Sequence, residues 1–86
     1  MHEASLIKDL IRKIEALASA ENAGSILNVE VKLGALCHMS EAHFREHFQQ
    51  ASAGTLAEGA TLLVDARTDP TEDGAQDLIL TAVEVA

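Results

Sequence analysis

Ile26-Leu27-Asn28-Val29-Glu30-Val31-Lys32-Leu33 is the stretch that decides the fold. Val29, Val31 and Leu33 alternate with Asn28, Glu30 and Lys32. A period of two predicts a half-buried strand with one wet face. Gly34 ends it, and Ala35 to Met39 forms a short connection. On both sides the period changes. Upstream, Leu6, Leu10, Ile14 and Leu17 recur at helical spacing, and Ile7, Ile11 and Ala18 widen the stripe. This predicts a helix near Ser5 to Asn22, with Ser5 as N-cap and Gly24 as C-terminal stop. Downstream, Phe44, Phe48 and Ala51 share one face of a helix over Glu41 to Ala53. Ser40 is its N-cap candidate, without the acid three residues on that a full capping box needs, and Gly54 is its stop.

Thr55 to Gly59 is a tight connection. Ala60 to Arg67 returns to strand, with Leu62, Val64 and Ala66 against Thr61, Leu63 and Asp65. The acidic segment Asp69-Pro70-Thr71-Glu72-Asp73-Gly74 is the clear loop. Asp77 to Val85 is the last strand, with Ile79, Val83 and Val85 on one side and Leu78, Leu80 and Ala82 on the other. The order is α-β-α-β-β. The first two strands and the helix between them make a right-handed parallel crossover. The Pro/Gly loop is expected to fold the last strand back antiparallel to the second. The fold class is therefore α+β, two helices packed on one face of a three-stranded mixed sheet. Its open edges call for a cover or a mate, so edge pairing into a homodimer is expected.

Composition narrows the function. The 86 residues make one domain with a modest core, since a chain of this size buries only about 60% of its unfolded surface. Fourteen acidic residues against six basic ones give a net charge of -8. Nucleic acid and anionic membranes need a basic patch, so neither is expected as partner. No apolar run is long enough to span a bilayer, and Lys8, Asp9, Arg12 and Lys13 break the first apolar stretch, unlike a signal peptide. Cys37 is the sole cysteine, so no internal disulfide forms and a reducing, cytoplasmic setting is expected.

The chemistry-bearing residues are few. In Met1-His2-Glu3 the terminal amine, the His2 backbone nitrogen and the His2 imidazole can close fused chelate rings on one ion, with a fourth ligand from elsewhere. Such nitrogen-rich, planar sets suit Ni(II) and Cu(II). Met-His openings also arise by chance, and a two-residue motif is almost unspecific. His43 and His47 stand four apart on the second helix and face the same way, as solvated histidines, as a weak accessory metal pair, or with one of them completing the His2 site. Cys37 and His38 are adjacent, and adjacent side chains diverge, so they form no ready catalytic pair. His38, just past the first strand, is an extra ligand candidate. Glu41, Glu46, Glu58, Asp69, Glu72 and Asp73 form no spaced acid/base dyad. No enzymatic activity is expected.

Taken in order, several segments resemble one family. They are the opening Met1 to Leu6, Val29 to Leu36 with its Gly-x-Leu ending, and the Phe-bearing Phe44-Arg45-Glu46-His47-Phe48. Gly54-Thr55-Leu56-Ala57-Glu58-Gly59-Ala60-Thr61-Leu62 and the closing Leu78 to Val85 complete the set. Together they are similar to the HypA/HybF family, nickel chaperones of [NiFe]-hydrogenase maturation. The resemblance implies a two-helix, three-stranded domain that holds Ni(II) at the N-terminus, through the His2 imidazole and amide, the Glu3 amide and the Met1 amine. It implies a nickel GTPase or the hydrogenase large subunit as partner. Members of that family carry a zinc module with two Cys-x-x-Cys pairs between the last two strands. Here Thr68 to Ala75 stands in that place, and one cysteine cannot make a four-thiolate zinc site, so no zinc is expected. The alternative function is a HypA-like interaction module that has lost metal delivery.

Overall fold

A computed structural model describes residues 3–86, with the main chain alone for Glu3. It contains α1 (Glu3–Ala20), β1 (Ile26–Leu33), α2 (Glu41–Ser52), β2 (Thr61–Ala66) and β3 (Leu78–Val85). The element order and the helices-on-sheet architecture match the reading of the sequence. The helices cover one face of the sheet. Ile7, Leu10, Ile11, Ile14 and Ala18 of α1 and Phe44 and Phe48 of α2 pack with Ile26, Val29, Val31 and Leu33 of β1 in one buried cluster. Fully burying a side chain such as Phe44 or Ile14 is worth about 1.5–3 kcal/mol.

The strand order is β2-β1-β3. β1 pairs with β2 in parallel, Val29 opposite Leu62 and Val31 opposite Val64, as the crossover requires. β3 pairs antiparallel with β1, not with β2 as the loop suggested. Two features explain this. The connection from Ala66 to Leu78 is far longer than the two to five residues of an ordinary hairpin, so it can carry the chain past the end of β1. β1 is also the most buried strand, with four buried side chains, and gains most from a neighbour on each side. The return is anchored where β1 ends: Gly34 N–H donates to the Asp77 carbonyl at 3.0 Å, and Leu36 N–H to the Ala75 carbonyl at 2.7 Å.

The faces of β3 also differ from simple alternation. The register slips between Glu30 and Val31, where Ala82 and Leu80 are the partners, so Thr81 is the extra residue of a bulge. The slip puts Leu78, Leu80, Val83 and Val85 together against the core, with Ile79 outside. A second slip between Ile26 and Asn28 turns Leu27 outward, so that Ile26 is buried with Val29.

Helix ends depart from expectation twice. Ser5 lies within α1, which already includes Glu3. At the other end Asn22 takes the left-handed conformation, φ 53°, and Ala23 N–H caps the Ala18 carbonyl at 2.9 Å, so Gly24 is not the stop. Leu17, placed by its spacing in the core stripe, is 50% exposed. The buried row runs through Ile7, Ile11, Ile14 and Ala18, one step around the helix. α2 behaves as read: Ser40 Oγ accepts from His43 N–H at 3.1 Å, and Gly54 turns left-handed just beyond the helix.

Candidate metal site

Met1 and His2, and the side chain of Glu3, lie outside the described residues. The Glu3 main chain is the first position of α1. The amides of a helix's first turn have no intrahelical acceptor, so helix formation leaves that nitrogen unspent.

Two of the other histidines, His43 and His47, lie on α2. The Ser40 cap fixes the first turn by binding the His43 amide. One turn on, His47 comes over the same surface, and the two Nε2 atoms are 2.8 Å apart. Their ring centroids are separated by 4.5 Å and the planes tilt by 41°. His43 is exposed and His47 half-buried. The i, i+4 spacing was plain in the sequence, but the convergence of both rings on one point was not, since it depends on side-chain rotamers. The surroundings were missed too. His47 lines a small cavity with Gln50 and Ala51 of its own helix and Ala4, Ile7 and Lys8 of α1. The head of the first helix therefore lies beside the histidine pair.

Cys37 and His38 do not join them. Cys37 is half-buried, its Sγ 3.7 Å from the Met39 carbonyl oxygen, and lines a different groove with Leu6 and Leu17. His38 is exposed with φ 61°. Among the described residues, no three His, Cys, Asp or Glu side chains converge so as to hold an ion.

The carboxylates have architectural partners. Glu41 accepts from Arg45 Nε at 2.9 Å, and Arg45 Nη1 reaches the Leu62 carbonyl, tying α2 to β2. Glu58 accepts from Gly54 N–H at 3.2 Å. This bond closes a turn in which Thr55 Oγ1 both donates to the Ser52 carbonyl and accepts from Ala57 N–H. Gly54 and Gly59 supply its left-handed corners, and Ala57 plugs it into the core. The Gly-Thr-x-Ala-Glu-Gly-Ala segment is thus a folding device. In the β2–β3 connection, Arg67 grips Glu72 through Nε and Nη2, at 3.0 and 2.8 Å, and Lys32 lies 3.5 Å from the same carboxylate. The Arg67 hydrogen bonds hold the Glu72 carboxyl below the usual range, and the bonded carboxylates of Glu72 and Asp65 hold the Arg67 guanidinium above its own. The Thr71 hydroxyl and amide lower Asp69 in the same way.

Comparison with known proteins gives this scaffold its class. Residues 1–70 match the family described as "Hydrogenase/urease nickel incorporation, metallochaperone, hypA". The chain is 38% identical over 65 residues to the hydrogenase maturation factor HypA of Chlorobium limicola, covering 76% of this chain and 56% of that one. It is 34% identical over 67 residues to the hydrogenase maturation factor HybF of Salmonella typhimurium, covering 78% and 59%. Among solved structures it resembles the solution structure of the Ni metallochaperone HypA from Helicobacter pylori. That likeness has a TM-score of 0.80 at 18% identity, covers 99% of this chain and 97% of that one, and shows the fold. The class is that of nickel-incorporation metallochaperones. The chain belongs to the HypA family, and it spans a little over half the length of the curated relatives it matches.

Proposed function

We propose that this chain is a nickel-handling accessory domain for maturation of a nickel enzyme such as [NiFe]-hydrogenase. In this reading it binds Ni(II) at Met1-His2-Glu3 and passes it on. The observation that carries the reading is the family match, which runs over residues 1–70 and so includes this tip. The chemistry agrees. The Met1 amine, the His2 amide and imidazole and the Glu3 amide offer four nitrogens, a set suited to planar Ni(II). Delivery requires exchangeable ligands, and a run of consecutive donors releases an ion more readily than a buried cage. The residues form one domain, with Thr68–Ala75 in place of a zinc module. With Cys37 the only thiol, these 86 residues cannot make a four-thiolate zinc site. The receiving partner is a nickel GTPase or the hydrogenase large subunit, and the setting is cytoplasmic. No helix of the described residues is long and apolar enough to cross a membrane.

The test is a Ni(II) titration by calorimetry and visible absorbance on three proteins: the chain with its native N-terminus, His2→Ala, and a version extended upstream of Met1. The native chain is expected to bind at least tenfold more tightly than the other two. Equal binding by all three, or none by any, overturns the tip mechanism.

One observation favours a second reading, an interaction module that has lost metal delivery. A groove of about 730 Å³ runs between α1 and β3, lined by Leu6, Leu17, Cys37, Leu78 and Leu80, with Ile79 at its rim. On this reading His2→Ala leaves partner binding and maturation untouched.

A further inference from the structure

We propose that His43 and His47 form a second metal site, a bidentate imidazole chelate for a divalent late transition-metal ion such as Ni(II). It is built on one helix by the fold, from residues distant in sequence from Met1-His2-Glu3. The separation of the two Nε2 atoms is the first argument. Nitrogen donors stand about 2.0–2.1 Å from such ions, so two neighbours at a right angle lie about 2.9 Å apart. The observed 2.8 Å meets that bite without a change of rotamer.

The surroundings supply the rest. Arg45, the cation nearest in sequence, is drawn away by Glu41 and the Leu62 carbonyl. Lys8 shares the adjoining cavity but is exposed, with a flexible stem free to turn outward. That cavity, about 220 Å³, has room for water ligands, and Gln50 on its wall carries an amide oxygen. A net charge of -8 favours cations overall. Without metal, the pair is held by one N–H···N hydrogen bond, one ring donating from Nε2 and the other accepting. Metal takes the place of that shared hydrogen: the donor ring shifts to its Nδ1–H tautomer, its proton passing by way of solvent, so both neutral rings present Nε2 lone pairs.

The test uses the whole chain with its native N-terminus and four backgrounds: unaltered, His2→Ala, His43→Ala/His47→Ala, and all three changes together. Position 43 is exposed and position 47 only half-buried, and alanine favours helix, so the fold should persist; His43→Gln/His47→Gln provides a second, polar replacement. By equilibrium dialysis with Ni(II), His2→Ala is expected to retain one bound ion, and the triple variant to bind at least tenfold more weakly. In a Zn(II) titration followed by NMR, used because the ion is diamagnetic, the His43 and His47 ring signals should move together and saturate at one equivalent. Equal Ni(II) binding by His2→Ala and the triple variant overturns the proposal. So do ring signals that stay fixed, or that move for one histidine only. If His2→Ala binds like the unaltered chain while His43→Ala/His47→Ala binds nothing, the pair stands and the tip reading fails.

Discussion

Gly34 is the residue on which the strand order turns. It closes β1 at the point where the returning chain passes, and a Cβ there would overlap the Ala75 carbonyl oxygen and lie against Gly74. The obstruction is main chain on both sides, pinned by the Gly34–Asp77 and Leu36–Ala75 hydrogen bonds, so neither partner can swing aside. Gly34→Ala is expected to cost about 1–3 kcal/mol, the usual range for overpacking. That lowers the melting temperature by roughly 4–8 °C per kcal/mol in a domain of this size. Gly24 provides the contrast. Nothing lies within 4 Å of a Cβ at that site and its φ is not left-handed. Gly24→Ala should therefore be neutral or stabilise by up to about 1 kcal/mol, through reduced freedom of the unfolded chain. Thermal unfolding by circular dichroism ranks the two, and a Gly34→Ala protein as stable as Gly24→Ala would refute the close approach.

At the scale of elements, what the sequence showed and what it hid have separate physical causes. Alternation marked β1 and β2, and 3.6-residue periodicity marked both helices, because burial on one face imposes those periods directly. The bulges at Leu27 and Thr81 were hidden, since each changes the phase beside neighbouring apolar residues, Ile26-Leu27 and Ala82-Val83, where alternation leaves no mark. The neighbour of β3 was hidden because pairing is a long-range choice, and the Pro/Gly loop signals a turn without saying how far the chain travels. The histidine spacing was legible and its convergence was not. The β2–β3 connection, acidic in sequence, proves to be held by Arg67 on Glu72 and by Thr71 on Asp69. Both carboxyls are lowered in the folded chain, so the stability they add is present at neutral pH and is lost as pH falls through their folded values. The window lies below the ordinary 4.5 of glutamate and 3.8 of aspartate. On acidification the Arg67 side-chain N–H and the Thr71 amide are expected to shift in NMR spectra, with midpoints below those values, before the sheet unfolds. Glu72→Gln should remove the Arg67 transition and leave the Thr71 one. Midpoints at or above those ordinary values would contradict the grip.

For the whole molecule, the two proposed nickel sites differ in their dependence on folding, and that difference is measurable. Met1, His2 and Glu3 are consecutive, so the unfolded chain carries the same chelate as the folded one. A ligand stabilises a protein only as far as it prefers the folded state, and binding to the unfolded chain cancels the effect. Nickel held at the tip alone should bind tightly and yet hardly move the melting temperature. His43 and His47 are brought together by α2, a helix of 12 residues that depends on Phe44 and Phe48 being buried under α1 and β1. So short a helix is marginal without its tertiary contacts, and unfolding separates the two rings. An ion on the pair is therefore linked to global stability, by up to about 2.7 kcal/mol at a hundredfold excess over Kd. The resulting rise is at most roughly 10–20 °C for a domain of this size. Melting curves with Ni(II) are expected to show this rise in the unaltered chain and in His2→Ala, and to lose it in His43→Ala/His47→Ala. A rise that follows His2 instead would mean that the tip becomes an ordered part of the fold once metal is bound, and the division between a local site and a folded site would be withdrawn.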